Sequence, residues 1–211
     1  QQIVSSLYES NTFILEKNNE ILIIDAGATA DEVKKYVGDK KVVGVLLTHG
    51  HFDHAYYVSD YIKEFKTKAY ASEFAKEYLS EHKKNYSNDV GLNMDLKDFK
   101  DFVFLKGSGE IQIGDFLVEY GQLGGHSKSD MFFKIDNFLF VGDVIIGRGI
   151  GRMDLYGGNK AEMLKSLKIL ANVEYETMCC GHEENRTKEA QDKVTVSYTH
   201  LRAHETAANR V

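Results

Sequence analysis

Four apolar runs in this sequence each lead into a histidine or an aspartate, and this pattern constrains the fold more than any other feature. The runs VVGVLL, FLVEY, NFLFV and YETMCC are short enough to be buried strands. The ligand-type residues that follow them are His49, His126, Asp143 and His182. Glycine directly precedes the last three, and it lets a chain turn sharply at the end of a strand. In a packed sandwich these ends can converge, so we expect the four side chains to meet at one edge.

The first of these runs leads into THGHFDH, which adds His51, Asp53 and His54 to His49 within six positions. A lone histidine is more often structural than a ligand, but helix capping does not explain four ligand-type residues at H-x-H-x-D-H spacing. With the later residues, the chain offers five imidazoles and two carboxylates. This set suits zinc, iron or manganese, and it is large enough for two ions that share a carboxylate.

The periodicity of apolar and turn residues predicts a mixture of strands and helices in one domain. Strands are expected at 12–17, 20–25, 42–47, 68–71, 111–113, 116–120, 131–135, 137–141 and 175–180. Helices are expected near 31–37, 55–66, 72–83 and 159–171, the last capped by Asn159. Three pairs of strands, around 12–25, 109–120 and 131–141, are predicted hairpins because turn-type residues separate them. Residues 84–101 and 147–158 are expected to be long loops.

These motifs resemble those of the metallo-β-lactamase-fold hydrolases over nearly all of residues 1–194. The similar segments are SNTFILEKNNEILIIDAG, THGHFDH, LGGHSKSD, FLFVGD, RGIGRMDLYGGN and CGHEENRT. The resemblance implies an α+β fold, a four-layer αββα sandwich with metals at the edge where the two sheets meet. It also implies a ligand set: His49, His51 and His126 for the first metal, Asp53, His54 and His182 for the second, and Asp143 as a bridge.

Within this superfamily, the segment GRGIGRMDLYGG is most similar to the short glyoxalase II-like (hydroxyacylglutathione hydrolase-like) thioesterases. The resemblance implies hydrolysis of a thioester such as S-2-hydroxyacylglutathione by a metal-bound hydroxide, with Asp53 and Asp143 as catalytic carboxylates. Two divalent ions are the implied cofactors; zinc is expected, with iron or manganese as alternatives. A thiolate, whose parent pKa is about 8.5, leaves without a proton donor, so the lack of an evident general acid fits this reaction.

The chain departs from the family's pattern at positions that bear on the substrate and not on the metal. Met153 and Tyr156 stand where the family has Thr and Pro. Ser129 replaces a usual glycine, and Glu183 follows the last histidine where many relatives have another glycine. We assign Arg152 and Tyr156 as candidate substrate-binding residues. Arg152 could instead hold the glycine-rich loop, which is the interpretation that we favour.

Other functions remain open on the same fold. An iron-dependent persulfide dioxygenase would share the HxHxDH stretch but use one iron with two His and one Asp. Lactone or β-lactam hydrolysis is a second alternative, and a non-catalytic binding protein is a third. Asp25, which ends a buried strand, is expected to fix backbone amides near the site and not to touch metal.

Composition excludes several classes of partner. Lys and Arg number 26 against 32 Asp and Glu, a formal charge of −6, so binding to nucleic acid or to an anionic membrane surface is not expected. No apolar run approaches the roughly 18 residues that span a bilayer. The two adjacent cysteines, Cys179 and Cys180, are unsuited to a structural disulfide and favour a reducing, cytoplasmic setting. Nothing in the sequence indicates an oligomeric state, and the expected partner is a small-molecule thioester.

The last residues are predicted to be foreign to the domain. VSYTHLRAHET at 196–206 resembles a translated sequencing adapter, so we divide the chain into a metallo-β-lactamase-like domain at 1–194 and a non-native tail at 195–211. The pair His200 and His204, although spaced as metal ligands on a helix would be, is therefore left out of the candidate site.

Overall fold

Short apolar runs of the chain become strands, of which central ones such as 20–24 and 138–142 are buried on both faces, and helices cover them. In this computed structural model residues 1–188 are described. The strands are β1 (Gln2–Val4), β2 (Asn11–Lys17), β3 (Glu20–Ile24), β4 (Lys41–Leu46), β5 (Ala69–Ser72), β6 (Phe102–Leu105), β7 (Ser108–Ile113), β8 (Phe116–Gln122), β9 (Met131–Ile135), β10 (Phe138–Gly142), β11 (Ile145–Ile146), β12 (Gly149–Ile150), β13 (Thr177–Cys180) and β14 (Arg186–Thr187). The α-helices are α1 (Ala30–Val37), α2 (Phe52–Ala55), α3 (Val58–Phe65), α4 (Ala75–Leu79) and α5 (Lys160–Leu170), with a 3₁₀ turn at Ser87–Val90.

The strands form two six-stranded sheets and a short hairpin of β11 with β12. The first sheet has the order β1-β2-β3-β4-β5-β6, and the second has the order β14-β13-β10-β9-β8-β7. The three predicted hairpins, β2–β3, β7–β8 and β9–β10, are confirmed as antiparallel pairs. Strands β3, β4, β5 and β6 pair in parallel, as do β10 and β13. Parallel neighbours need a crossover, which α1 supplies between β3 and β4 and α5 between β10 and β13.

Alternation along β3 shows how the layers stack. Ile21 and Ile23 point into a core shared with α1 and α3, whereas Leu22 and Ile24 point into a core shared with the second sheet. A third core lies between the outer face of the second sheet and α5. The order of layers is therefore helices, sheet, sheet, helix. This is the α+β, four-layer αββα sandwich that the sequence predicts, so the predicted fold is confirmed.

The predicted helix at 55–66 begins earlier and is broken in the middle. Within an unbroken helix the Asp53 carbonyl would accept from the Tyr57 amide. Instead, that carbonyl accepts from the Ser10 hydroxyl at 2.6 Å, and the Tyr57 amide donates to the Ala26 carbonyl at 3.0 Å. These contacts with residues just before β2 and just after β3 divide the segment into α2 and α3, which the local sequence does not reveal.

Other differences concern short elements. The predicted helix at 72–83 is reduced to α4, because Ser72 belongs to β5 and its hydroxyl accepts from the Phe74 amide at 3.2 Å. Strands β1, β6, β11, β12 and β14 were not predicted, and β12 lies inside a segment expected to be a loop. Each has two to four residues, too few for a periodic pattern. The predicted boundary at 194 and the tail at 195–211 lie outside the described residues, and the division stays a prediction.

None of the helices in the described part of the chain has the length and apolar character that a bilayer crossing requires.

The cap of α5 is testable because it also supports a loop of the site. The Asn159 side chain accepts from the amides of Ala161 and Glu162 at 2.8 and 3.0 Å, as its position in the sequence predicts, and its backbone amide donates to Gly125. We expect Asn159→Ala to lower the free energy of unfolding by about 1 kcal/mol. Urea denaturation followed by circular dichroism measures it. Asn172→Ala, at the other end of the helix, is the matched control, and equal stability of the two variants would contradict this account.

Candidate metal centre

The loops that follow β4, β8, β10 and β13 meet at one edge of the sandwich. They bring together the seven ligand-type residues named from the sequence: His49, His51, Asp53, His54, His126, Asp143 and His182. Two distances show how close the distant segments come. His51 Nδ1 lies 2.8 Å from His126 Nε2, and His54 Nε2 lies 3.2 Å from His182 Nε2.

The cluster has two halves, each with three side chains whose ligand atoms lie within 4.8 Å of one another. The first half is His49, His51 and His126, and the second half is Asp53, His54 and His182. Helix α2 contributes to both, because His51 immediately precedes it and Asp53 and His54 lie within it. These halves agree with the two predicted ligand sets. Their role as metal ligands stays a prediction.

Asp143 lies between the two halves. Its Oδ2 atom is 3.6 Å from His126 Nε2 and 3.4 Å from His182 Nε2, and its Oδ1 atom is 3.3 Å from His54 Nε2. One carboxylate therefore contacts a histidine of the first half and two of the second. This is the position that a bridging ligand would need.

A buried carboxylate, Asp25, fixes the rings of two candidate ligands from behind. Its Oδ1 atom accepts from the Thr48 amide at 2.7 Å, and its Oδ2 atom accepts from the Thr48 hydroxyl at 2.8 Å. His54 Nδ1 lies 2.9 Å from the same Oδ2 atom, and His49 Nδ1 lies 3.2 Å from the Thr48 hydroxyl. Asp25 thus holds a backbone amide near the site, which confirms its predicted role, and it also leaves both Nε2 atoms directed at the cluster.

His126 is held by its own loop and by the glycine-rich segment. Its Nδ1 atom lies 3.0 Å from the Arg152 carbonyl, so this atom donates and Nε2 keeps its lone pair. Its backbone amide donates to Asp130 at 3.0 Å. Ser129, the residue that departs from the family's glycine, accepts from the Gly50 amide at 3.0 Å and so connects this loop to the HxHxDH segment.

The donor set fits divalent cations. Within residues 1–188, His49 Nε2 is buried and has no hydrogen-bond partner, which is costly for a polar atom unless a cation or another group binds it. Hydrogen bonds engage the outer nitrogens of His49, His54 and His126, so their inner nitrogens are directed into the cluster. Imidazole and carboxylate together suit zinc, iron and manganese.

The two halves differ in charge. Burial and the nearby His126 lower the pKa of His51 to about 3, and burial lowers the pKa of His49 well below its usual value. Both rings are therefore neutral at pH 7, the form that binds cations. Burial also acts to lower the pKa of His182, but the carboxylates of Asp143 and Asp53 outweigh it and raise that pKa to about 9. Cation binding to the second half therefore releases protons.

The two candidate substrate-binding residues lie on the rim. The Arg152 guanidinium makes two bonds to Asp154, at 2.8 and 2.7 Å, and its carbonyl faces His126, which agrees with the favoured role in holding the loop. Tyr156 is 43% exposed, and its hydroxyl donates to Glu77 at 2.6 Å.

Aromatic residues that the sequence did not single out form the wall beside His51. Tyr78 and Tyr86 present their rings to His51 with centroids 5.8 and 5.5 Å apart, and the Tyr86 hydroxyl accepts from the Tyr156 amide. Tyr86 has a φ of 65°, an unusual backbone for a bulky residue. Its position in a region expected to be a loop gave no signal of this role. Cys179 and Cys180 are buried core residues with free thiols, as predicted.

The family model of the metallo-beta-lactamase superfamily matches residues 6–182 of the chain. The chain belongs to this superfamily. A probable metallo-hydrolase, YqgX, from Bacillus subtilis (strain 168) is 29% identical over 181 residues, which cover 82% of this chain and 85% of the relative. A hydroxyacylglutathione hydrolase from Shewanella baltica (strain OS195) is 28% identical, covering 80% of this chain and 58% of the relative. The crystal structure of the BLEG-1 B3 metallo-beta-lactamase superposes with a TM-score of 0.82 and 26% identity, covering 92% of this chain and 96% of that chain.

For this superfamily member, the contribution of Asp25 to metal binding is testable. Asn has the same shape and tolerates the left-handed φ of 61° found at Asp25, but it offers a single acceptor oxygen. We expect Asp25→Asn to weaken zinc binding by about 10–100-fold, because the His54 and His49 rings lose their orientation. Competition with a chelator measures the affinity. Asp31→Asn, an exposed carboxylate on α1, is the control; unchanged affinity in the Asp25 variant would refute this role.

Proposed function

We propose that the chain is a metallo-hydrolase that uses two divalent ions, with zinc as the expected ion, to cleave a thioester such as S-2-hydroxyacylglutathione. The observation that carries the proposal is the pair of ligand groups joined by the carboxylate of Asp143. Three of the histidines have their outer nitrogens engaged by Asp25, Thr48 and the Arg152 carbonyl. These hydrogen bonds orient the candidate ligands, and such orientation strengthens metal binding, so they support the proposal.

The chemistry divides between the ions and the chain. When bound, the ions would act as Lewis acids that activate water near neutral pH and polarise a carbonyl. His49, His51 and His126 would hold one ion and Asp53, His54 and His182 the other. Asp143 would hold them together, and with Asp53 it would offset part of their charge. The leaving group is a thiolate, which needs no proton from the chain.

The thioester is proposed from the glycine-rich segment and from one relative. The segment GRGIGRMDLYGG is similar to that of short glyoxalase II-like enzymes, and the Shewanella relative is named a hydroxyacylglutathione hydrolase. That relative is much longer than the matched region, since the match covers 58% of it. The thiol carrier in this chain is therefore part of the proposal. We also propose that the reaction takes place in the cytoplasm and that the partner is a small molecule.

A persulfide dioxygenase would bind metal differently with the same cluster of residues. Such an enzyme would share the HxHxDH stretch and would use one iron with two His and one Asp of the same cluster. Metal content and the reaction catalysed therefore separate the two functions.

We expect Asp143→Ala to lose one of two metal equivalents and to lower thioester hydrolysis by more than about 100-fold, because the carboxylate between the halves is removed. Elemental analysis and hydrolysis of S-lactoylglutathione measure the two effects. His51→Ala and His182→Ala test the first and second halves separately, and Asp31→Ala is the control. A purified Asp143→Ala protein with full metal content and full rate would refute the assigned site. Oxygen uptake with glutathione persulfide, without thioester cleavage, would identify the dioxygenase.

We propose that Tyr156 contacts the substrate at the rim and that Arg152 holds the loop. Tyr156→Ala is then expected to raise KM about fivefold with little change in kcat, as expected for loss of one contact worth about 1 kcal/mol. Steady-state kinetics on the thioester measures both constants. Tyr36→Ala, on α1, removes an equally exposed tyrosine and is the control. An unchanged KM would exclude Tyr156 from substrate binding.

A further inference from the structure

The first residues of β2 lie against the turn that carries His182. Asn11 has no exposed surface, and its side-chain amide donates to the Cys180 carbonyl at 3.0 Å and to the Glu183 carbonyl at 2.9 Å. Its backbone amide donates to the Gly181 carbonyl at 2.7 Å. Three hydrogen bonds from one residue thus bracket His182 on both sides.

The turn that Asn11 holds is strained. Glu183 has a φ of 63°, in the left-handed region that favours glycine. A glutamate does not adopt this backbone readily, so other contacts must keep the turn in place. The Asn11 amide bonds the Glu183 carbonyl directly, and Gln2 fixes that amide by donating to Asn11 Oδ1 at 2.7 Å.

The neighbouring residue, Ser10, contacts the segment that carries Asp53, another candidate ligand of the second half of the cluster. Its hydroxyl donates to the Asp53 carbonyl at 2.6 Å, the contact that interrupts the helix after α2. Its backbone forms an isolated antiparallel bridge with His182. Ser10 and Asn11 therefore contact the segments of both Asp53 and His182.

The first half of the cluster is held by different residues. Thr48 lies behind His49, Ser129 bonds the Gly50 amide beside His51, and Asp130 accepts from the His126 amide. Asp25 supports both halves, since it contacts His54 directly and His49 through Thr48. The hydrogen bonds of Asn11 go to the turn of His182 and to Gln2, so Asn11 supports the second half.

We propose that Asn11, assisted by Ser10, is a positioning residue for the second half of the metal centre, and that it sets the affinity of the second ion independently of the first. Asn11 does this by holding His182 in a turn that Glu183 would otherwise leave. This inference rests on the proposed two-ion function.

The test uses the zinc-loaded full chain and a competing chelator, which resolves the two zinc affinities. Asn11→Ala is expected to weaken the second zinc by about 10–100-fold and to leave the first within about twofold. Ser10→Ala is expected to weaken the second zinc in the same direction by a smaller factor, and it provides the test if the Asn11 variant does not fold. Neither measurement depends on activity.

Asn85→Ala is the matched control. Asn85 is equally buried, and its side-chain amide also donates to two carbonyls, those of Tyr78 and Met94 at 2.8 and 2.7 Å. Its loss is expected to lower thermal stability without a selective effect on the second zinc.

Glu183→Gly provides a rescue that a general loss of stability would not show. Glycine takes the left-handed backbone without strain, so in the Asn11→Ala background it is expected to restore at least about tenfold of the lost affinity for the second zinc. Equal weakening of both zinc ions by Asn11→Ala, no weakening, or no rescue would overturn the inference. A wild-type chain that binds only one zinc would refute the two-ion function itself, and the inference with it.

Discussion

Both faces of β3 and of β10 are apolar, and neither strand can hide both faces from water unless a layer packs on each side. This requirement produces the central sandwich, with Leu22, Ile24 and Phe140 between the sheets and helices over the outer faces. Burial of such residues is the main favourable contribution to folding, at roughly 25 cal/mol per Å² of apolar surface. Once the sheets are stacked, the ends of β4, β8, β10 and β13 have little freedom. Their loops must leave the sandwich at a common edge, and the candidate ligands stand on those loops.

The same stacking creates an electrostatic problem at that edge. Five imidazoles and two carboxylates lie close together with little contact with water, and charge in such a place is costly unless it is paired. The chain meets this cost in two ways. In the first half, burial keeps the imidazoles of His49 and His51 neutral. In the second half, the carboxylates of Asp53 and Asp143 balance His54 and His182. Asp25 adds a further buried carboxylate, satisfied by Thr48 and His54.

The sequence allowed the layers, the hairpins and the seven clustered residues to be predicted, because each depends on a local pattern or on a specific motif. The break between α2 and α3 could not be predicted, since it is made by Ser10 and Ala26, which are distant in sequence. The hydrogen bonds by which Asn11 and Ser129 support the site could not be predicted either. Polar residues at strand starts and in loops are common, and only the folded chain shows that their partners are the loops of the site. Short strands such as β1 and β14 exist through pairing with a neighbour and not through their own composition.

The bond between the Tyr86 hydroxyl and the Tyr156 amide joins two segments that lie outside both sheets, 80–101 and 147–158. His49 and His54 are oriented from the core by Thr48 and Asp25, whereas His126 is oriented by the Arg152 carbonyl, which belongs to the second of these segments. Replacements in 80–101 can therefore reshape the aromatic wall without touching these anchors, but replacements in 147–158 must keep that carbonyl in place. The surface that meets incoming molecules is thus only partly independent of the candidate ligands behind it.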